Sequence, residues 1–171
     1  MFYQIVVLQY ERYMSFDFLN FCGDIGRHNL VLVRCNTNSL KNTINRFKKD
    51  GVNPVNIGRE LSEKLQSIES SKYLAIEAQE YLHRLIEKHA VQIVPGKPKV
   101  VAIYNIGILH EPALSLNVAN LLKDFSKNMI IIVLWDHIYA EGQLHWGVQQ
   151  EKYRLNLSDI YITEGSADYG V

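Results

Sequence analysis

Long stretches of apolar residues alternate along the chain with segments of helical periodicity. Leu30-Val31-Leu32-Val33, Val100-Val101-Ala102-Ile103-Tyr104 and Met129-Ile130-Ile131-Ile132-Val133-Leu134-Trp135 are continuous and rich in β-branched residues. A strand wetted on one face alternates apolar and polar residues, whereas an unbroken run suits a strand covered on both faces, as in a parallel sheet. Between these runs the apolar spacing changes to that of helices. Leu40, Ile44 and Phe47 predict one helix that begins after Ser39 and ends near Asp50-Gly51. Gly58 to Ser67 predicts a second, and Leu74, Ala78, Tyr81, Leu82, Leu85 and Ile86 predict a third over Ser71 to His89. Ala113 to Ser126 reads as a fourth.

Weaker signals fill the remainder. Val52 to Ile57 reads as a short strand whose Pro54 suits a sheet edge. Gln143-Leu144-His145-Trp146 reads as a hairpin arm leading to Tyr153–Leu157, and Ile160-Tyr161-Ile162 as the last strand, near 159–162. The first 27 residues carry aromatic and apolar positions at near-helical spacing, closed by Gly23 and Gly26, and Glu164 to Val171 reads as a polar, flexible tail. Strands alternating with helices predict a single three-layer α/β domain over 1–171 with a mainly parallel central sheet.

Composition narrows the function classes. Apolar residues make up 47% of the chain, and 18 Lys and Arg balance 18 Asp and Glu, so the net charge supports neither a long nucleic-acid footprint nor membrane adsorption. A local basic patch remains compatible with this balance. Cys22 and Cys35 form neither a disulfide framework nor a CxxC pair. The apolar start Met1–Leu8 has no basic flank or cleavage signature, and no run reaches the roughly 18–20 apolar residues of a membrane helix. A cytoplasmic protein without membrane contact is expected.

The candidate chemistry begins where the first strand meets the first helix. In doubly wound sheets the free N–H groups of helix N-termini gather at the carboxyl ends of strands and favour anions. Cys35-Asn36-Thr37-Asn38-Ser39-Leu40-Lys41-Asn42 matches the spacing of the phosphate-binding pattern GxxxxGK[ST], with a six-residue loop before the lysine. Only Lys41 is kept. Cys35 and Leu40 stand for the glycines whose backbone freedom wraps phosphates, and Asn42 stands for the magnesium-binding hydroxyl. Ser39 and Thr43, with Lys41, are the candidate residues of a vestigial phosphate loop, and Thr37 is a further hydroxyl in reach. At the end of the second strong strand, Tyr104 falls where a metal-linked Asp is needed, and Asn105 or Gly107 where a catalytic Glu is needed. The chain therefore reads as a degenerate, AAA-like P-loop NTPase fold that leans away from catalysis, with no metal and no bound cofactor; ATP is the ligand any residual site would take.

Other constellations have simpler explanations. His137, Glu141 and His145, beside Asp136, are of metal-ligand type, but a polar loop collects such residues by chance. Cys35 lies between strand and helix, where a thiolate gains stability, yet no partner histidine can be named. Trp135, Trp146, Tyr139, Tyr153 and Tyr161 suit core packing, and any exposed subset would suit a partner surface. Arg46, Lys48 and Lys49 end a helix, where the dipole favours cations.

The segment Ala102–Pro112 is similar to the LLDNIELLFDP strand and turn of the BrxF family, small P-loop proteins of BREX anti-phage systems. Leu121–Asn128 resembles that family's LLQQLSRN, Val133-Leu134-Trp135 its VAW, and Leu144-His145-Trp146 with Glu151–Arg154 its LTY…PEYR, so the resemblance spans roughly Leu30 to Ile162. The chain departs from the family at its nucleotide-binding residues. The resemblance implies an accessory or scaffold subunit of a defence complex whose partners are proteins, among them a large ATPase, or copies of itself. Two other readings stay open. One is a small active NTPase completed by Asp136 or by a partner's carboxylate; the other is an accessory factor that binds DNA through a local basic face.

Overall fold

The computed structural model describes residues 29–35, 37–67, 72–140, 143–145, 154–156 and 163–166. Each of the three strong apolar runs is a strand: β1 (Leu30–Arg34), β3 (Lys99–Tyr104) and β4 (Met129–Trp135). With β2 (Val55–Asn56) and β8 (Thr163–Ser166) they form one five-stranded sheet of order β2-β3-β4-β1-β8, in which every pairing is parallel. β2 lies at the edge, where the ring of Pro54 just before it removes a donor without loss to the ladder.

Alternate residues of the central strands enter two cores. Leu30, Leu32, Val101, Ile103, Ile131 and Val133 face α2 (Ile57–Gln66), α3 (Leu74–His89) and α4 (Val118–Ser126). Val31, Val33, Val100, Ala102, Ile130 and Ile132 face α1 (Thr37–Lys49) through Phe47, Leu40 and Ile44. This two-sided burial is why the strands are continuous apolar runs. The connection from β1 to β2 crosses the sheet in one direction, and those from β2 to β3 and β3 to β4 cross in the other. Crossovers of one hand then place α1 alone on one face and α2, α3 and α4 on the other.

The helices depart from expectation in two places. The first starts at Thr37, not after Ser39. The expected helix over Ala113–Ser126 is split into a 3-10 turn, Pro112–Leu114, and α4. Ser115 adopts a left-handed backbone (φ 48°), and the Asn117 side chain caps α4 by accepting from the Asn120 N–H at 3.0 Å. A short polar side chain that satisfies the first helical donors starts a helix afresh. A second 3-10 helix, Ile106–His110, follows β3.

After β4, β5 (Ile138–Ala140), β6 (Gln143–His145) and β7 (Arg154–Asn156) form a small antiparallel sheet, so the expected arm is part of a three-stranded unit. Leu144 is fully buried in the core shared with Trp135, whose Nε1 donates to the Ile138 carbonyl at 3.0 Å. The final strand is β8, beside β1, and its residues Glu164–Ser166 correct the expectation of a tail from Glu164. An edge position demands little apolar signal, which is why this segment reads as a tail. The helical segment expected over 1–27 and the strand expected at Ile160–Ile162 lie outside the described residues. No helix among the described residues is long and apolar enough to cross a membrane.

The packing of α3 gives a direct test. Leu82 is buried and Ile76, on the opposite side of the same helix, is 57% exposed. Leu82→Ala should cost about 2–5 kcal/mol by transfer and cavity formation. Ile76→Ala should stay within about 0.5 kcal/mol. Urea unfolding midpoints of the two variants check the difference.

Candidate functional site

Parallel strands bring all their carboxyl ends to one side of the sheet. β1 and β4 are neighbours there, and their outgoing connections run in opposite directions, the switch point at which doubly wound folds hold ligands. The residues at this switch point are Arg34 and Cys35 after β1, Tyr104 and Asn105 at β3, and Asp136 and His137 after β4. The Cys35 N–H donates to the Trp135 carbonyl at 2.7 Å, which ties the ends of β1 and β4 together.

The link from β1 to α1 is short. Because α1 begins at Thr37, the expected six-residue loop is a two-residue connection, Cys35-Asn36, followed by the first helical turn. The three candidate residues of the phosphate loop consequently part company. Lys41 is exposed. Ser39 and Thr43 are 4% and 2% exposed and point into the protein. The Thr43 hydroxyl donates to the Ser39 carbonyl at 3.1 Å, and the Cys35 thiol lies 3.7 Å from the Thr43 Oγ1. Leu40 and Ile44 complete an apolar contact beneath the helix. The Ser39 and Thr43 side chains are buried, that of Thr43 bonded to the helix's own backbone, while the lysine faces solvent.

Burial pushes the Cys35 thiol up to about 11, partly offset by its contact with Thr43 and reinforced by the nearby Asp136 carboxylate. The thiolate position considered from sequence is thus a protonated, buried thiol, unsuited to nucleophilic work at neutral pH. Of the loop with metal-ligand side chains, His137 Nε2 lies 3.6 Å from Asp136 Oδ1, His145 pairs with Ile138 across β5 and β6, and Glu141 is outside the described residues. Among the described residues no three His, Cys, Asp or Glu side chains gather around a point that would hold a metal ion. Trp135 is a core residue, 2% exposed. Trp146, Tyr153 and Tyr161 lie outside the described residues, and Tyr139 is on β5.

The end of β3 is occupied by an interlock that periodicity did not reveal. Asn105 adopts a left-handed backbone (φ 54°), and its Nδ2 donates to Asn56 Oδ1 at 3.0 Å. That same oxygen accepts from the Arg59 N–H at 3.0 Å and caps α2. Gly58 makes the close approach feasible, because a Cβ there would come within 2.7 Å of the Asn105 Cγ. Asn105, at the place where a catalytic carboxylate is needed, thus holds β2, α2 and the end of β3 together. Tyr104 packs, partly buried, against the α1-side core. Asn56 three residues before Arg59 is a legible capping signal, whereas the requirement for Gly58 follows only from the tertiary contact.

No family model, curated protein or solved structure matches this chain.

Two measurements probe the site. Gly58→Ala should destabilise by about 1–3 kcal/mol through overpacking. Adding Asn105→Gly, which accepts the left-handed backbone and removes the clashing carboxamide, should recover part of that loss in a double-mutant cycle. For Cys35, the folded thiol titrates at about 11 against an ordinary 9.0, so the unfolded chain releases the proton first. Its contribution to stability is full below pH 9.0 and is lost as pH rises through about 11. Stability of the wild type should therefore fall more steeply across that window than stability of Cys35→Ala, as read by urea unfolding at stepped pH.

Proposed function

We propose that this chain is a non-catalytic accessory or scaffold subunit built on a degenerate P-loop NTPase-like, AAA-like domain, which acts by association within an anti-phage complex of BREX type. The strand order supports the first part: in the parallel sheet β1 leads into α1 and lies beside β4, which neighbours β3, an order compatible with a phosphate-binding fold. The observation that carries the reading is Asn105. Its carboxamide is committed to Asn56 across the β2–α2 junction, so the end of β3 offers a structural hydrogen bond where metal-assisted hydrolysis needs a carboxylate. The buried side chains of Ser39 and Thr43 support the same conclusion. The family likeness of the β3 turn, α4 and β4 sequences supports the defence context and a large ATPase as partner.

A competing reading, a small NTPase completed by Asp136, draws on one feature. Asp136 follows β4 at the switch point, with its side chain 22% exposed beside His137.

Phosphate release from magnesium-ATP separates the two readings. The purified chain should release no phosphate above the buffer rate, and Lys41→Ala and Asp136→Asn should behave identically to it. Turnover that either substitution abolishes would overturn the proposal. Co-expression with the genes flanking its own, followed by size-exclusion chromatography, should yield a stable assembly containing an ATPase subunit; a chain that elutes alone would count against the scaffold role.

A further inference from the structure

The two helical layers differ sharply in charge although the chain as a whole is neutral. α2 carries two glutamates and two basic residues, and α3 three glutamates and two basic residues. Among the described residues, the segments that flank α1 are richer in cations than in carboxylates. From Asn29 to Gly58 the basic residues are Arg34, Lys41, Arg46, Lys48 and Lys49 against Asp50 alone, and from Ala90 to His110 they are Lys97 and Lys99 with no carboxylate. The 91–94 segment packs beside α1 on the same core, and Lys97 and Lys99 follow it, whereas Ile106 and Leu109 of the second stretch belong to the other core.

The exposed side of α1 concentrates this charge. At 3.6 residues per turn, Lys48, Lys41, Asn45, Lys49, Asn42 and Arg46 follow one another around an arc of about 160°. Phe47, Thr43, Leu40 and Ile44 occupy the buried side. The ion pairs of Arg59 with Glu60 and Glu63, of Lys127 with Asp124 and of His137 with Asp136 all lie outside α1. The helix dipole explains cations in the last turn, but it gives no reason for Lys41 at the other end. A solvated amphipathic face ordinarily mixes signs, and this one does not.

We infer that the α1 face binds the sugar-phosphate backbone of double-stranded DNA without regard to sequence. This goes beyond the scaffold reading and does not depend on it. A helix of 13 residues is about 20 Å long and lies over several phosphates of a duplex that carries one charge per about 1.7 Å. The arc has no aromatic side chain on which unstacked bases of a single strand could stack. It is also short for duplex RNA, which proteins read by shape across about 16 base pairs. Asn42 and Asn45 add hydrogen-bond donors between the cations, a suitable pairing for phosphate oxygens.

The test titrates the full chain against a short fluorescein-labelled DNA duplex of mixed sequence at several salt concentrations. The plot of log K against log salt should have a slope of about −3, at roughly −0.9 for each phosphate neutralised. The triple variant Lys41→Ala/Lys48→Ala/Lys49→Ala, all at exposed positions, should keep its thermal melt and lose binding or most of that slope, by about one unit per lysine. Lys64→Ala/Lys88→Ala, on the other layer, should bind as the wild type does. The inference is overturned by absence of binding at about 50 mM salt, by an unchanged slope in the triple variant, or by equal weakening in the control. Tighter binding of single strands, duplex RNA or polyglutamate than of duplex DNA overturns it equally.

Discussion

The fold depends on burying three parallel strands from both sides. β1, β3 and β4 place alternate apolar residues in two separate cores, and no arrangement with fewer than two helical layers would cover them. That requirement fixes much else. It sends α1 to one face and α2, α3 and α4 to the other, and it brings every carboxyl end to a single side of the sheet. The candidate site is a by-product of this geometry, whatever the chemistry of the residues found there.

At that edge, structural polar contacts take up the positions that ligand chemistry would use. Cys35 ties β1 to β4 through its backbone, Thr43 satisfies its hydroxyl on the Ser39 carbonyl, and Asn105 bridges to Asn56 over Gly58. Each contact stabilises the junction it joins, and each removes a donor or acceptor from the strand ends. Charge remains at the strand ends in Arg34, Asp136 and His137, and on the outer surface of α1 in Lys41, Lys48 and Lys49.

The strands β1, β3 and β4 were legible because burial on both faces leaves an unbroken apolar signature. α2 and α3 were legible from their stripes of apolar residues. The start of α1 was not, since Thr37, Asn38 and Ser39 are residue types equally at home in a loop or a first helical turn. That ambiguity created the apparent six-residue loop, and with it the apparent grouping of Ser39, Lys41 and Thr43. Once the helix begins at Thr37, helical spacing alone puts Lys41 opposite Ser39 and Thr43. β8 escaped notice because Glu164-Gly165-Ser166 carries no apolar run, and the order of strands in the sheet is not encoded in any local pattern. The Asn105–Asn56 bridge joins residues 49 positions apart and needed coordinates to be seen.

The protein's own polar contacts occupy the strand ends. Backbone amide chemical shifts of the isotope-labelled chain, followed while magnesium and a non-hydrolysable ATP analogue are added, examine this occupancy residue by residue. The amides of Cys35 to Leu40 and of Tyr104 to Gly107 should keep their positions at millimolar nucleotide. Saturable shifts in both segments, absent when Lys41 is replaced by alanine, would contradict it.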